Sequence, residues 1–116
     1  MKKTLSFILV AAMFLFVVSC GQKEPQLPKV VKIGRTDCLP CVELSKILKT
    51  LQPEIEGKAV IEIINLEDNP DAFDKYKLEG IPTLIFYDEK GEESSRSIGG
   101  KEADFVLEML KKAGMK

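Results

Sequence analysis

Two thiols three positions apart, in Cys38-Leu39-Pro40-Cys41, are the residues of this chain best suited to chemistry. Sulfurs at that spacing on the start of a helix close a disulfide with little backbone movement. Unpaired N–H groups at a helix N-terminus, together with the helix dipole, favour the thiolate that attacks other disulfides. Cys38, at the exposed tip, is the expected nucleophile and would form a mixed disulfide with a target. Cys41, one turn further in, would attack the Cys38 sulfur and release the reduced target. Pro40 falls in the first turn, where its missing N–H costs little and its fixed φ stiffens the loop. Two other chemistries share the motif. A disulfide that merely staples the helix start would be a weak staple, because a four-residue loop gives little entropic gain. A structural zinc site usually takes four Cys or His ligands. With no histidine and no second cysteine pair, that leaves only a site shared between two chains.

The elements around the pair fit a redox role. Val30 to Ile33 is a short β-branched strand leading into it, and Val42, Leu44, Ile47, Leu48 and Leu51 recur after it at helical spacing. Pro53 and Gly57 are expected to end that helix. Ala59 to Leu66 reads as an inner strand interrupted by Glu62, which alternation turns to the face opposite Ile61 and Ile63. Asn69-Pro70 opens a second helix through Ala72, Phe73, Tyr76 and Leu78, stopped by Gly80. Thr83 to Tyr87 and Ser94 to Ile98 form a hairpin across Asp88-Glu89-Lys90-Gly91. A last helix carries Phe105, Val106, Met109 and Leu110. Phe73, Tyr76, Phe86 and Phe105 sit at core spacing and are read as packing. The order β-α-β-α-β-β-α needs a right-handed crossover, a parallel pair and a closing hairpin. The expected fold is therefore α/β, a mixed four-stranded sheet flanked by helices.

The N-terminus is organised differently. Lys2 and Lys3 precede an apolar run of fourteen residues, Leu5 to Val18. That is shorter than the ~20 residues of a membrane span and matches a signal-peptide core. Val17-Val18-Ser19-Cys20 resembles the lipobox of bacterial lipoproteins. The resemblance implies cleavage before Cys20, a diacylglycerol on its sulfur and usually an acyl group on the new amine. More than one acyl chain is what makes membrane attachment stable. The expected organisation is a signal peptide over 1–19, a lipidated N-terminus and linker over 20–28, and a folded domain over 29–116. The linker residues Gly21 to Pro28 reach roughly 25 Å when extended. Beyond residue 19 the chain has 15 basic and 18 acidic side chains, a net charge of −3, with no basic stripe for nucleic acid.

From Val30 onward the chain resembles thioredoxin. The resemblance rests on Cys38-x-Pro40-Cys41 after a strand, Asn69-Pro70 opening the next helix, Gly80-Ile81-Pro82-Thr83 before the third strand, and Gly99 after the fourth. The first strand and helix of that family have no counterpart, since the linker occupies their place. The resemblance implies a thioredoxin-like fold, a cis Ile81–Pro82 bond opposite the cysteines, and substrate contacts from Leu39, Pro40, Ile81 and Pro82. It also implies that the cysteine pair is itself the redox centre, with no flavin, nucleotide or metal.

Two positions depart from the family pattern. Where thioredoxin has an aromatic residue before its first cysteine, this chain has Asp37, which opposes a Cys38 thiolate. Arg35 is positioned in sequence to offset it. Six positions before the first cysteine thioredoxin carries a buried acid that assists proton transfer to the second cysteine. Here Lys32 stands, which could serve that role only if desolvated and uncharged. A lysine at a strand end is expected to run its stem along apolar surface and keep its ammonium in water. Its other available role is to stabilise a Cys41 thiolate.

The function expected is a monomeric, membrane-tethered thiol–disulfide oxidoreductase in the bacterial envelope, facing the extracytoplasmic side and acting on disulfide- or dithiol-containing envelope proteins. Ile81 before Pro82 and Pro40 beside Cys41 resemble the reducing members of the family, and a reductase there needs electrons from a transmembrane donor. The rival is a non-catalytic adaptor of the same fold that binds a partner through the Pro82 groove.

Overall fold

The computed structural model describes residues 26–116. The segments read as signal peptide, Cys20 and most of the linker lie outside the described residues. Seven elements follow in order: β1 (Lys29–Gly34), α1 (Leu39–Ile55), β2 (Val60–Asn65), α2 (Ala72–Lys75), β3 (Thr83–Tyr87), β4 (Glu93–Ile98) and α3 (Ala103–Lys112). The strands lie in the order β2-β1-β3-β4, with β1 parallel to β2, antiparallel to β3, and β3 antiparallel to β4. The end of the linker already touches this domain. The Pro28 carbonyl accepts from the Val60 N–H at 2.9 Å, and the Gln26 N–H donates to the Glu89 carbonyl at 3.3 Å.

Side chains alternate between sheet faces along each strand. On one face Val30, Leu84 and Phe86 pack beneath Leu44, Leu48, Leu51 and Ile55 of α1 and Val106 and Leu110 of α3. Phe86 and Phe105 meet edge to face, with ring centroids 6.4 Å apart. On the other face Val31, Ile33 and Ile85 are covered by Leu78, with Tyr76, Ile64, Leu66 and Ile81 packed around them. Burial on both faces explains why β1 and β3 read as nearly unbroken apolar runs. Each large side chain fully removed from water contributes about 1.5–3 kcal/mol.

Two sequence expectations need correction. The first helix does not stop before Pro53 but carries it inside, ending at Ile55. Ile55 is 2% exposed, and its carbonyl accepts from both Lys58 and Ala59 N–H groups. Burial of that last turn thus outweighs the hydrogen bond Pro53 cannot make. The second helix is a single turn, because Lys77 takes a left-handed backbone at φ 52° and ends it. In so short a turn Ala72 faces inward, and Phe73, read as core, is left 42% exposed.

Candidate active site

One end of the sheet gathers the residues of interest. Gly34 closes β1 opposite Asn65 of β2, Ile33 pairs with Thr83 at the start of β3, and Thr83 pairs with Ile98 at the end of β4. The cysteine loop leaves from Gly34, and the Gly80-Ile81-Pro82 segment enters at Thr83. Gly99, just past β4, donates its N–H to the Pro82 carbonyl at 2.8 Å, and Thr83 Oγ1 donates to the Gly80 carbonyl at 2.6 Å. The Ile81–Pro82 peptide bond is cis, as the resemblance implied. Leu39, 71% exposed, stands beside the half-buried Cys38, while Pro82 is buried and Ile81 is half-buried.

Cys38 and Cys41 form a disulfide across a Cα–Cα distance of 5.2 Å. Cys38 is the N-cap of α1, with extended backbone (φ −105°, ψ 116°), and Pro40 lies in the first turn. Its Sγ accepts from the Cys41 N–H at 3.4 Å, and its carbonyl accepts from Val42 N–H at 3.0 Å. A sulfur in that place faces the donors that a thiolate would use. Cys41 is fully buried. The two sulfurs therefore differ in access, one reachable from solvent and the other behind it.

Asp37 does not stand alone beside Cys38. Arg35 clasps it in a fork, Nε to Oδ1 at 2.9 Å and Nη2 to Oδ2 at 3.3 Å. The hydrogen bond from Arg35, more than its charge, holds the Asp37 carboxyl below the usual range. Between them Thr36 is anchored by Glu67, whose Oε1 accepts from the Thr36 N–H at 2.7 Å and Oγ1 at 2.9 Å. The backbone N–H of Thr36 is the largest cause of a lowered Glu67 pKa. Glu67 ties the β1–α1 loop to the end of β2. The sequence does not mark it, because its partner lies 31 residues away.

Lys32 overturns the expectation of a solvent-seeking ammonium. It is 1% exposed, on the β1 face beneath α1. Gly34, two residues on, is what lets α1 settle there. A Cβ at Gly34 would sit 2.8 Å from Cys41 Sγ and 3.3 Å from Lys32 Cε. Sequence reasoning passed over this glycine, although a glycine closing the strand before the motif was a usable sign of close approach. Burial pushes the Lys32 pKa down, with Glu67 opposing and Lys49 adding to the effect. A cleft of about 460 Å³ between α1 and the β2 edge opens onto Lys32, walled by Arg35, Ser45, Lys46, Lys49 and Asn65. A larger cleft, about 620 Å³, lies at the opposite end of the sheet around Leu27, Lys29 and Tyr87, away from the sulfurs. Among the described residues no three His, Cys, Asp or Glu side chains gather as metal ligands.

A parallel pair extended by a hairpin, a cysteine pair capping the crossover helix and a cis-proline at the same sheet end define a thiol–disulfide oxidoreductase of thioredoxin type. The chain belongs to the thioredoxin family: the family's sequence model, described as Thioredoxin, matches residues 19–112. It is 28% identical over 90 residues to a thioredoxin of Rickettsia conorii, covering 78% of this chain and 85% of that one. To a thioredoxin of Staphylococcus epidermidis it is 32% identical over 84 residues, covering 72% and 80%. The solved structure of chloroplastic thioredoxin z superposes with a TM-score of 0.69 at 20% identity, covering 89% of this chain and 88% of that one. Thioredoxins act on disulfide-containing protein substrates through a redox-active cysteine pair without a cofactor, and Cys38 and Cys41 are that pair here.

Proposed function

We propose that this protein is a membrane-tethered reductase of disulfides in envelope proteins. The observation that carries the exchange chemistry is the unequal placement of the two sulfurs, Cys38 half-buried as the α1 N-cap and Cys41 fully buried behind it. Cys38, as thiolate, attacks a target disulfide. Cys41 then attacks Cys38 Sγ, and the target leaves reduced. Leu39, Pro40, Ile81 and Pro82 receive the target around the exposed sulfur. The reducing direction rests on Pro40 beside Cys41 and Ile81 before Pro82, and it calls for a transmembrane source of electrons. The tether rests on Val17-Val18-Ser19-Cys20, which would place the domain on the extracytoplasmic side of a bacterial envelope membrane.

A Cys41→Ser variant expressed in its own membranes tests this reading. It should accumulate mixed disulfides through Cys38 that dissolve on adding dithiothreitol, and Cys38→Ser should accumulate none. A non-catalytic adaptor would trap nothing in either variant. A reduction potential above about −150 mV, approaching that of a strong oxidant, would reverse the direction.

A further inference from the structure

The side of β2 that faces away from β1 is an unpaired sheet edge, and a cleft lined by cations lies beside it. We infer that the two together form a docking site that takes an extended acidic segment of a partner protein as a fifth strand of the sheet. Docking of that kind does not depend on the exchange reading.

β2 is the outermost strand of its sheet, and among the described residues no strand pairs with its far edge. The Val60 N–H donates to the Pro28 carbonyl and the Leu66 N–H to that of Gly34, each at 2.9 Å. Residues two apart point their backbone groups the same way, so Ile61, Ile63 and Asn65 turn theirs to the open edge. Among the described residues only the Asn65 carbonyl finds partners there, the Asp68 and Asn69 N–H groups that turn the chain. Nothing blunts this edge. β2 has no proline, no lysine and no bulge, and its one charged side chain, Glu62, is paired with Lys29 of β1 at 3.2 Å. An apolar edge left in that state is a template for another strand.

Charge chooses the occupant. Ile61 and Ile63 turn their side chains to the α1 face, where the cleft of about 460 Å³ separates the edge from the helix. Lys32, Arg35, Lys46 and Lys49 line it, and no acid does. Asp37 and Glu67 are already engaged, with Arg35 and with Thr36. Lys46 and Lys49 are exposed and stand in no ion pair among the described residues. An added strand sends alternate side chains to that face, and carboxylates at those positions meet the two lysines. Other occupants fit less well. A second copy paired along the whole of β2 would be related by a two-fold axis through the strand's middle. The lysines beside Ile63 would then meet their own counterparts, like charge against like. The chain's own linker reaches β1 from the other side, since Gln26 bonds to Glu89 on the β3–β4 hairpin. β2 ends at Asn65, opposite Gly34, so a partner held on it lies beside the cysteine loop.

A fluorescein-labelled, cysteine-free peptide of alternating glutamate and valine, added to the purified full-length protein, tests the docking. Fluorescence anisotropy should show saturable binding that weakens as salt is added, and a lysine–valine peptide should not bind. Lys46→Glu combined with Lys49→Glu should weaken binding about tenfold or more, and Lys46→Arg combined with Lys49→Arg should preserve it. Amide hydrogen exchange of the wild type, followed by NMR, should show protection gained at Ile61, Ile63 and Asn65. Glu62 and Ile64, already bonded to β1, should not change. Absence of binding, equal binding of the lysine peptide, or binding without protection at those three amides would overturn the proposal. So would their protection in the protein alone. Protection lost on dilution would give the edge to a second copy, and protection that persists would give it to the chain's own N-terminal segment. The hydrogen-exchange measurement uses the wild type, so a misfolded variant cannot decide the matter.

Discussion

A carboxylate one residue before a thiol that must ionise raises the free energy of the thiolate, so the partner of Asp37 matters to Cys38. The Arg35 fork spreads a compensating positive charge over both carboxylate oxygens. The two groups are 48% and 67% exposed, so each acts on the sulfur through solvent and weakly. Arg35→Gln should therefore slow alkylation of the reduced Cys38 slightly and Asp37→Asn should quicken it slightly. The double substitution should return it close to wild type, and iodoacetamide alkylation rates across pH check all three. Lys32 differs because it is buried. Its folded pKa lies below the unfolded value of 10.5, so between the two the unfolded chain binds more protons and stability rises with pH. Below its folded pKa the charge destabilises the domain in full. Lys32→Met should accordingly raise the guanidinium midpoint of the oxidised protein at pH 7. That gain should shrink as the pH rises from the folded pKa towards 10.5 and be gone above it, as guanidinium midpoints at both ends of the range would reveal.

Gly34 shows how one strand end governs the chemistry of the helix above it. Any side chain there meets Cys41 Sγ at 2.8 Å and Cys41 Cβ at 3.2 Å, neither of them the free end of a flexible group. Gly34→Ala should push the first turn of α1 off the sheet, cost about 1–3 kcal/mol in denaturant unfolding, and slow disulfide exchange in proportion to the lost alignment. An alanine variant with wild-type stability and rate would show that the turn yields freely. The architecture itself was legible, because the strands and α1 advertise themselves by periodicities that burial on the sheet enforces. The cysteine pair and Pro82 were legible for a different reason, since short motifs carry them. What escaped the sequence is long-range. Ala72, Phe73, Tyr76 and Leu78 carry helical spacing, yet Lys77 breaks the turn and only Ala72 and Leu78 are buried. Lys32 looked like a strand-end lysine free to reach water until α1 was laid across it. Glu67 and Thr36 meet only because β1 and β2 are parallel neighbours.

For the molecule as a whole, the proposed anchor changes which disulfides the domain can reach. A lipidated Cys20 followed by a linker of roughly 25 Å at full extension keeps the exposed sulfur within tens of ångströms of the bilayer. Confinement of that kind raises the effective concentration of partners in the same membrane to the millimolar range without any new contact. It does nothing for a target free in solution. The net charge of −3 beyond residue 19 supplies no attraction to anionic lipid that could replace the acyl chains. Cys20→Ser should therefore move the protein from the membrane to the soluble fraction. Turnover of a soluble disulfide such as insulin should be unchanged, since Cys38 and Cys41 are untouched. In a Cys41→Ser background, the same substitution should cut mixed disulfides with membrane-bound partners by about a hundredfold, the lower end of what tethering contributes. Fractionation, insulin turnover and trapping separate the anchor from the catalyst. A Cys20→Ser protein that stays on the membrane would show that something other than the lipid holds it there, and undiminished trapping would show that proximity to the bilayer does not select its targets.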